Sequence, residues 1–572
     1  MQLVYIWVSN FRNISYQGFN ISSRYTIKFD SISGELSIKN NKDYVSDFFP
    51  NSIINVTAIV GENGTGKTNI LELINFMMDE GNTKISQSFF LIFEENEEFT
   101  VIQNKMEIHY SVRNGKRIKM QDYNNIKTPM SAIFFTNTFD GRRYNFGKKV
   151  FNLSTNNLYQ NEYGDFSIIK VKEEILNQLR FLNNDILNTN QKKPFVDIHP
   201  TSVILIAPTW NILLNKCRAF DKKIVQLGIY RTNELSKFCS KFRKKITLSE
   251  SSRSLSYFTS FLVFLDFVLN DMLPKERKVP GTPGHPLELR IEAIKETLQF
   301  LNIERMSEMR INEIHEFITN KVAYFISNDY PKCEKKTKFL LNLGIQKYYE
   351  IDKNNEGSYT NRNIKFEAPF TEEIVDFVIQ YTRSSSGFTP NFSIEWGGIS
   401  SGQKAFLNLY SRLYSVQKKI TKENILITID EGDLYFHPKW QIEYLNSLIQ
   451  ILPKIFAQRI QLILTTHSPF LVSDLTKNHL IYIENSLSGC QILEKETIEE
   501  NTFGGNIGEL YLNTFFLKGS LISSFAAIKI QDLIKKAKNS QESWTSTDQK
   551  LLNQIGDKII KFEIQRILNG KN

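Results

Sequence analysis

The octapeptide Gly-Glu-Asn-Gly-Thr-Gly-Lys-Thr at residues 61 to 68 restricts the fold more than any other feature of the chain. It fits the GxxxxGK[ST] pattern of a P-loop, in which glycines let successive backbone N–H groups converge on phosphate oxygens. The apolar run "IINVTAIV" before it predicts a strand, and the three- and four-residue spacing of apolar side chains after it predicts a helix. A strand, a glycine loop and a helix in this order predict an α/β nucleotide-binding core.

The last residues of the loop have specific expected roles. Lys67 can reach the β- and γ-phosphates of a nucleotide, and the Thr68 hydroxyl can bind Mg²⁺. The residues expected to contact the nucleotide lie in one continuous stretch: Gly61, Asn63, Gly64, Thr65, Gly66, Lys67, Thr68 and Asn69.

A P-loop needs a second, acidic element, and the apolar strand run 425–429 supplies it by ending in Asp430 and Glu431. Asp430 would hold the magnesium through water, and Glu431, one residue beyond the strand, could orient and deprotonate the attacking water. The next predicted strand ends at His467, which can reach the γ-phosphate. The sequence therefore predicts Glu431 and His467 as catalytic residues, and Thr68 and Asp430 as metal-binding residues.

The remaining element is "ISSGQ", residues 399–403, before a helix predicted to start near Lys404. The hydroxyl of Ser400 and the backbone around Gly402 and Gln403 offer an anion site at a helix N-terminus. This short pattern is weak alone, but its position between the P-loop and the acidic strand favours a role at the nucleotide.

The pattern of apolar residues changes twice along the chain. Residues 1–150 alternate short β-like segments with polar turns, 151–390 are mostly helical in periodicity, and strands return in 391–572. One α/β domain interrupted by a large, mainly α-helical insertion accounts for this order. The most apolar window, 255–273, contains Asp266 and predicts a buried core helix and not a membrane span.

The composition indicates which partners and which cellular compartment to expect. The formal charge of +9 favours an anionic partner such as nucleic acid. The four cysteines are far apart, which argues against a zinc site or a disulfide framework and fits a reducing cytosol. The N-terminus has no signal-peptide pattern, so we expect a cytoplasmic protein.

Together, "GENGTGKT", "ISSGQKA", "ITIDEGDLYFHP" and "ILTTHSP" occur in the order and spacing of the ABC-type ATPases. The chain resembles their SMC-like and RecF-like branch, whose first strand is also similar to "VSNFRNI". The resemblance implies an ATPase head with a P-loop core sheet and an antiparallel β subdomain. It places the Walker A half at 1–150, the insertion at 151–390, and the signature, Walker B, histidine and helical tail at 391–572. It further implies ATP and Mg²⁺ as ligands and a homodimer or higher oligomer, in which Ser400 and Gly402 of one subunit close on the P-loop of another.

The segments "DEGDLYFHPKWQ" and 501–534 are similar to the ATPase subunits of Septu-type anti-phage systems, including those that accompany retrons. The tail lacks the DxD pair of a fused Toprim nuclease, so we expect no nuclease activity in this chain itself. The resemblance implies that an HNH-type nuclease is supplied as a separate subunit. A retron reverse transcriptase with its RNA–DNA hybrid is a further implied partner. The segment "AIFFTNTFDGRR" is similar to the family's segment at the Q-loop position. The resemblance implies that Asn137 or Thr138 is the polar group that senses the γ-phosphate.

Two other functions stay open at this point. A RecF- or SMC-like ATPase would act directly on DNA in repair or chromosome maintenance, and a vestigial ATPase would bind ATP only as a scaffold. The basic clusters at 241–245 and 333–338 are typical of solvated surface, and the intact pair Asp430 and Glu431 favours hydrolysis.

Overall fold

The computed structural model describes the greater part of the 572-residue chain. The described residues are 1–50, 52–79, 87–106, 109–110, 117–123, 128–159, 168–184, 198–206, 210–226, 236–237, 240, 347–351, 363–384, 393–486, 489–493, 501–514, 522–539 and 544–570.

The described strands are β1 (Gln2–Phe11), β2 (Ile14–Asn20), β3 (Tyr25–Asp30), β4 (Glu35–Asn40), β5 (Ile53–Gly61), β6 (Phe89–Glu95), β7 (Glu98–Asn104), β8 (His109–Tyr110), β9 (Ile118–Asp122), β10 (Met130–Thr136), β11 (Val150–Asn152), β12 (Ser202–Ile206), β13 (Lys347–Ile351), β14 (Asn363–Pro369), β15 (Ser393–Gly397), β16 (Asn424–Asp430), β17 (Arg459–Thr466), β18 (Leu480–Ser486) and β19 (Gly489–Ile492). The described α-helices are α1 (Lys67–Met78), α2 (Thr155–Tyr159), α3 (Ile168–Leu182), α4 (Trp210–Gln226), α5 (Glu372–Ser384), α6 (Ser401–Val416), α7 (Pro438–Gln441), α8 (Tyr444–Ile455), α9 (Pro469–Ser473), α10 (Ile507–Thr514), α11 (Ser524–Asn539), α12 (Ser546–Gln554) and α13 (Lys558–Leu568).

The described residues form two compact units. The first unit contains 1–49, 54–127 and 461–572, and the second contains 50–53 and 128–460.

A large mixed sheet forms the first unit, with strand order β17, β5, β18, β19, β2, β1, β6, β7, β9. β5 and β18 are parallel, whereas β1 is antiparallel to both β2 and β6. All but one residue of β5 is buried, as expected of a parallel strand covered on both faces. The apolar face predicted for the helix after the P-loop is confirmed: Ile70, Leu71, Ile74, Met77 and Met78 of α1 are all buried.

A smaller antiparallel pair, β3 and β4, packs on one part of this sheet. Trp7 of β1 is at the centre of the contact, with its ring centroid 5.1 Å from that of Phe29. Phe29 in turn lies 4.9 Å from Phe90 of β6. These aromatic contacts attach a β layer to the P-loop sheet, which agrees with the predicted antiparallel β subdomain.

In the second unit, β10 lies between β11 and β16 and is parallel to both. A separate antiparallel sheet has the order β13, β14, β12, β15. Three of its strands, β12, β13 and β14, fall within the stretch predicted to be mainly helical.

The helical patterns at 255–273, 287–303 and 311–326 lie outside the described residues, so the helical insertion and the three-part domain division stay predictions. The described part of 151–390 contains α2, α3, α4 and α5 as well as the three strands. Among the helices that the structure describes, none has the length and apolar content needed to span a membrane.

The helices α11, α12 and α13 belong to the first unit and pack around a small core of their own. This core is formed by Leu533, Ala537, Leu552 and Ile564. Thr545 caps α12 in a reciprocal capping box with Asp548. The Lys536 ammonium group lies 2.8 Å from the Asp548 carboxylate. That bond and those from Thr545 lower the pKa of Asp548 to about 2, so its charge is compensated within the bundle.

Candidate nucleotide-binding site

The glycines of the P-loop are required by its backbone. Gly64 and Gly66 have φ values of 80° and 108°, in the left-handed region that favours glycine. At Gly61 a Cβ atom would lie 2.3 Å from the carbonyl oxygen of Ile483, on the neighbouring strand β18. Side chains are therefore excluded by strain at two positions and by a neighbouring backbone at the third.

Lys67 begins α1 and is 5% exposed. Its Nζ atom donates to the carbonyl oxygens of Gly61 and Glu62, at 3.0 and 2.9 Å. Gly66 is the N-cap residue and has no side chain with which to cap the helix. A helix N-terminus and an ammonium group at one glycine turn together attract an anion, so these residues fit a phosphate group.

The other predicted P-loop residues differ in burial and in their hydrogen bonds. Thr65 is buried and its hydroxyl donates to the Glu62 carbonyl oxygen at 2.9 Å, so its side chain stabilises the loop itself. Asn63 is exposed and Thr68 is half-buried. The Asn69 side-chain nitrogen donates to Asn13 at 2.6 Å.

Asn13 holds the P-loop from the tight turn between β1 and β2, a contact that the sequence analysis missed. Its side-chain nitrogen donates to the Thr65 carbonyl oxygen at 3.1 Å, and its Oδ1 atom accepts from Asn69. Its own carbonyl oxygen accepts from Cys490 N–H at 2.7 Å. A Cβ atom on Gly66 would come within 2.8 Å of the Asn13 amide. Asn13 thus joins the P-loop, α1 and β19.

Arg12, beside Asn13, forms an ion pair with Glu72 of α1. The Glu72 side chain is 2% exposed and the Arg12 side chain 40%. A buried carboxylate without a cation would destabilise the fold, so this pair fixes the β1–β2 turn against the P-loop helix. Arg12 has a φ of 54°, an uncommon conformation for a non-glycine residue. The motif "VSNFRNI" was the only sequence signal for this turn.

In the second unit, Asp430 ends β16 directly opposite Thr136 of the parallel strand β10 and is buried. Glu431 follows, half-buried, with a φ of 48°. A non-glycine residue in this region stores on the order of 1–3 kcal/mol, and such strain persists only where the surroundings determine the conformation. Two carboxylates at the end of a parallel strand have the chemistry that Mg²⁺ and a phosphate site require, and their role there stays a prediction.

Aromatic side chains surround the backbone after Glu431. A Cβ atom on Gly432 would lie 2.1 Å from the Tyr444 hydroxyl oxygen, so only glycine fits there. Burial, and then the nearby Asp433 carboxylate, raises the pKa of Tyr444 well above its usual value, which keeps the phenol neutral. Phe436 packs on both Trp440 and Tyr444. These contacts limit how far the acidic loop can move.

The predicted signature forms the start of α6, three residues earlier than expected because Ser400 caps it. The Ser400 hydroxyl accepts from Gln403 N–H at 3.2 Å, and the Gln403 side chain accepts from Ser400 N–H at 2.8 Å. A Cβ atom on Gly402 would lie 2.8 Å from the Trp440 ring and 3.1 Å from the Tyr435 carbonyl oxygen. The signature therefore packs directly on the chain that follows the acidic loop.

Two polar side chains connect α6 to its neighbours, one to the end of β10 and the other to α2 and α3. Asn137, one residue beyond β10, donates to the Ala405 carbonyl oxygen at 3.2 Å. Arg412 pairs with Glu174 of α3 at 2.8 Å and donates to the Thr155 hydroxyl at 3.0 Å. Both members of the ion pair are buried. Within the second unit, the signature helix and the acidic strand therefore belong to one packed body. Whether Asn137 senses a γ-phosphate stays a prediction.

The predicted site residues are divided between the two units. The P-loop and His467, which is half-buried just beyond β17, lie in the first. Asp430, Glu431 and the signature residues lie in the second. Their action on one nucleotide, and the roles assigned to them, stay predictions.

The chain is similar to known proteins in two ways. The family model described as AAA ATPase domain matches residues 1–472. The Septu protein PtuA of Bacillus mycoides (strain KBAB4) is 29% identical over 174 residues, which are 29% of this chain and 23% of that protein. The Septu protein PtuA of Bacillus thuringiensis is 46% identical over 56 residues, 10% of this chain and 13% of that protein. Each match spans less than a quarter of the relative's length.

We predict that Asn13→Ala weakens nucleotide binding. The change removes both side-chain bonds to the P-loop, each worth roughly 0.5–1.5 kcal/mol, so the dissociation constant for a fluorescent ATP analogue should rise about tenfold. Asn20→Ala is the matched control, since Asn20, at the end of β2 away from the P-loop, makes two comparable bonds to the backbone of Ile27 of β3. Equal affinities for both variants would show that Asn13 does not shape the phosphate site.

Proposed function

Since the chain belongs to the AAA ATPase domain family, we propose that it binds ATP with Mg²⁺ and hydrolyses it. One observation carries this proposal: Lys67 holds an ammonium group at a glycine turn whose helix has no side-chain cap. That arrangement is built for a phosphate chain, and an ordinary glycine turn has no need of it.

Each predicted site residue has a distinct task in this reaction. The P-loop, from Gly61 to Asn69, binds the triphosphate, with Lys67 at the β- and γ-phosphates. Thr68 and Asp430 would hold Mg²⁺, which neutralises charge that develops on the phosphate oxygens. Glu431 orients the attacking water and takes its proton, and His467 contacts the γ-phosphate. The fixed backbone of Glu431 supports its role, because a general base must be held in position.

We further propose that two heads close around shared nucleotides. Ser400, Gly402 and Gln403 of one subunit would meet the triphosphate held by the P-loop of another, which gives a homodimer or a higher oligomer. The capping box at Ser400 supports this, because it presents the N-terminus of α6 with a fixed geometry.

The similarity to Septu PtuA supports a place in a bacterial anti-phage defence complex. We propose that this ATPase works in the cytoplasm and controls a separate HNH-type nuclease, with nucleic acid in the complex. A retron reverse transcriptase carrying its RNA–DNA hybrid would be a further partner.

Lys67→Ala should abolish ATP binding, because it removes the ammonium group from the phosphate site. Calorimetric titration of ATP into the purified protein measures this, with at least about a hundredfold loss expected, or 2.7 kcal/mol. Lys422→Ala is the control: Lys422 also donates to backbone carbonyl oxygens, those of Thr128 and Met130, but far along the chain from the P-loop. Unchanged ATP affinity in Lys67→Ala would remove the P-loop from the proposal.

Glu431→Gln should leave ATP binding intact and stop turnover, because an amide cannot take the proton of the attacking water. We expect phosphate release to fall about a hundredfold or more and an ATP-bound dimer to accumulate in size-exclusion chromatography with light scattering. Glu443→Gln, in the same unit, should behave as wild type. A monomeric Glu431→Gln variant with wild-type turnover would refute the assignment.

Purification of the tagged chain from its own host tests the defence proposal. Recovery of an HNH protein, with or without a reverse transcriptase, is the expected result of mass spectrometry on the co-purifying chains. Recovery of the chain alone on duplex DNA would contradict it and favour the RecF- or SMC-like function.

A further inference from the structure

The helices α11, α12 and α13 form an apolar groove on the surface of the first unit. A cavity of about 330 Å³ lies between α11 and the turn that joins α12 to α13. Phe525, Ile530, Leu551 and Ile555 provide apolar walls, and Lys529 and Asp557 lie at the edge. The volume is enough for a few large apolar side chains.

The same helices carry exposed apolar side chains that are not part of the core of the bundle. Phe525 is 72% exposed and Ile559 is 75% exposed. Three further large apolar side chains of the same helices are also exposed: Ile528, Leu551 and Phe562. The core of the bundle consists of other residues. Such a concentration of exposed apolar side chains in one small bundle is typical of an interaction surface.

The helices that form the groove carry more positive than negative charge. The described residues of 522–570 contain eight lysines and arginines and four acidic residues. Of the acidic residues, Asp548 is paired with Lys536, Asp557 caps α13, Glu563 is paired with Arg566, and Asp532 is exposed on α11. Five lysines of these helices are exposed, and the first of them lines the groove: Lys529, Lys535, Lys538, Lys550 and Lys558. The Lys529 Nζ atom lies over the Phe525 ring, 5.7 Å from its centroid. A positive charge is therefore adjacent to the apolar wall of the groove.

We propose that this groove, lined by Phe525, Lys529, Ile530, Leu551 and Ile555, binds an amphipathic helix of a partner protein whose polar flank is acidic. The apolar face of such a helix fills the cavity and covers the exposed side chains, as a fourth helix does in a bundle. Its carboxylates meet the lysines at the edge. This docking function is separate from ATP hydrolysis.

Other occupants fit the surface less well. A β-strand needs an open sheet edge to pair with, and α11, α12 and α13 offer only helix sides. A second copy of the bundle would bring lysines against lysines. A nucleic acid would satisfy the lysines but leave the apolar cavity without a complementary surface. An apolar cavity on helices with an excess of positive charge therefore selects an acidic amphipathic helix.

Fluorescence anisotropy with the full chain tests the proposal. The probe is a labelled 18-residue synthetic helix with leucines at positions i, i+3, i+4 and i+7 and glutamates elsewhere, compared with the same peptide in which lysines replace the glutamates. We expect saturable binding of the glutamate peptide, about tenfold or more tighter than that of the lysine peptide at low salt. Similar binding of the two peptides, or no binding of either, would overturn the proposal.

Substitutions on the surface locate the binding. Phe525→Ser and Leu551→Ser should each weaken the glutamate peptide about tenfold or more, while Lys529→Glu should weaken it and strengthen the lysine peptide. Ile32→Ser is the matched control, since Ile32 is 97% exposed in the turn between β3 and β4 of the same unit. All four side chains are exposed, so the variants should keep the wild-type melting temperature.

Two outcomes would assign the surface to another occupant and overturn the proposal. One is tighter binding of an 18-nucleotide single-stranded DNA than of the glutamate peptide, lost in Lys529→Glu. The other is concentration-dependent self-association in light scattering that Phe525→Ser abolishes.

Discussion

The turn from β5 into α1 depends on backbone angles that glycine adopts without strain, and the candidate site depends on this turn. Gly64 and Gly66 allow the chain to reverse into the helix at once, so Lys67 folds back onto the carbonyl oxygens of the loop. The same absence of a side chain at Gly66 lets Asn13 approach and bond the loop. The glycine backbone conformation therefore determines the position of the helix N-terminus, the position of the Lys67 ammonium group and the approach of Asn13.

In each unit, neighbouring side chains hold the predicted site residues in position. In the first unit, Asn13 and the Arg12–Glu72 pair hold the P-loop against a hairpin turn. In the second, Trp440 closes on Gly402 and Tyr444 on Gly432, so a cluster of aromatic rings supports both the signature and the acidic loop. Rigid support of this kind reduces the reorganisation that a reacting phosphate would otherwise require.

Local pattern was enough to predict the elements that carry the site. The strand before the P-loop, the buried face of α1 and the apolar strand ending at Asp430 follow from periodicity over a few residues. The contacts of Asn13 with Thr65 and Cys490 could not be predicted, because they join segments distant in sequence and depend on sheet order. The strands β12, β13 and β14 were missed for a similar reason: each is short, and antiparallel pairing across long separations defines them. The left-handed conformation of Glu431 arises from its surroundings, since its own residue type disfavours it.

Phosphate release from ATP by the purified wild-type chain, with and without Mg²⁺, tests the central claim most directly. The P-loop and the acidic pair predict release that saturates with ATP and requires Mg²⁺. Tight ATP binding with no release above the protein-free blank would contradict this and make the chain an ATP-bound scaffold.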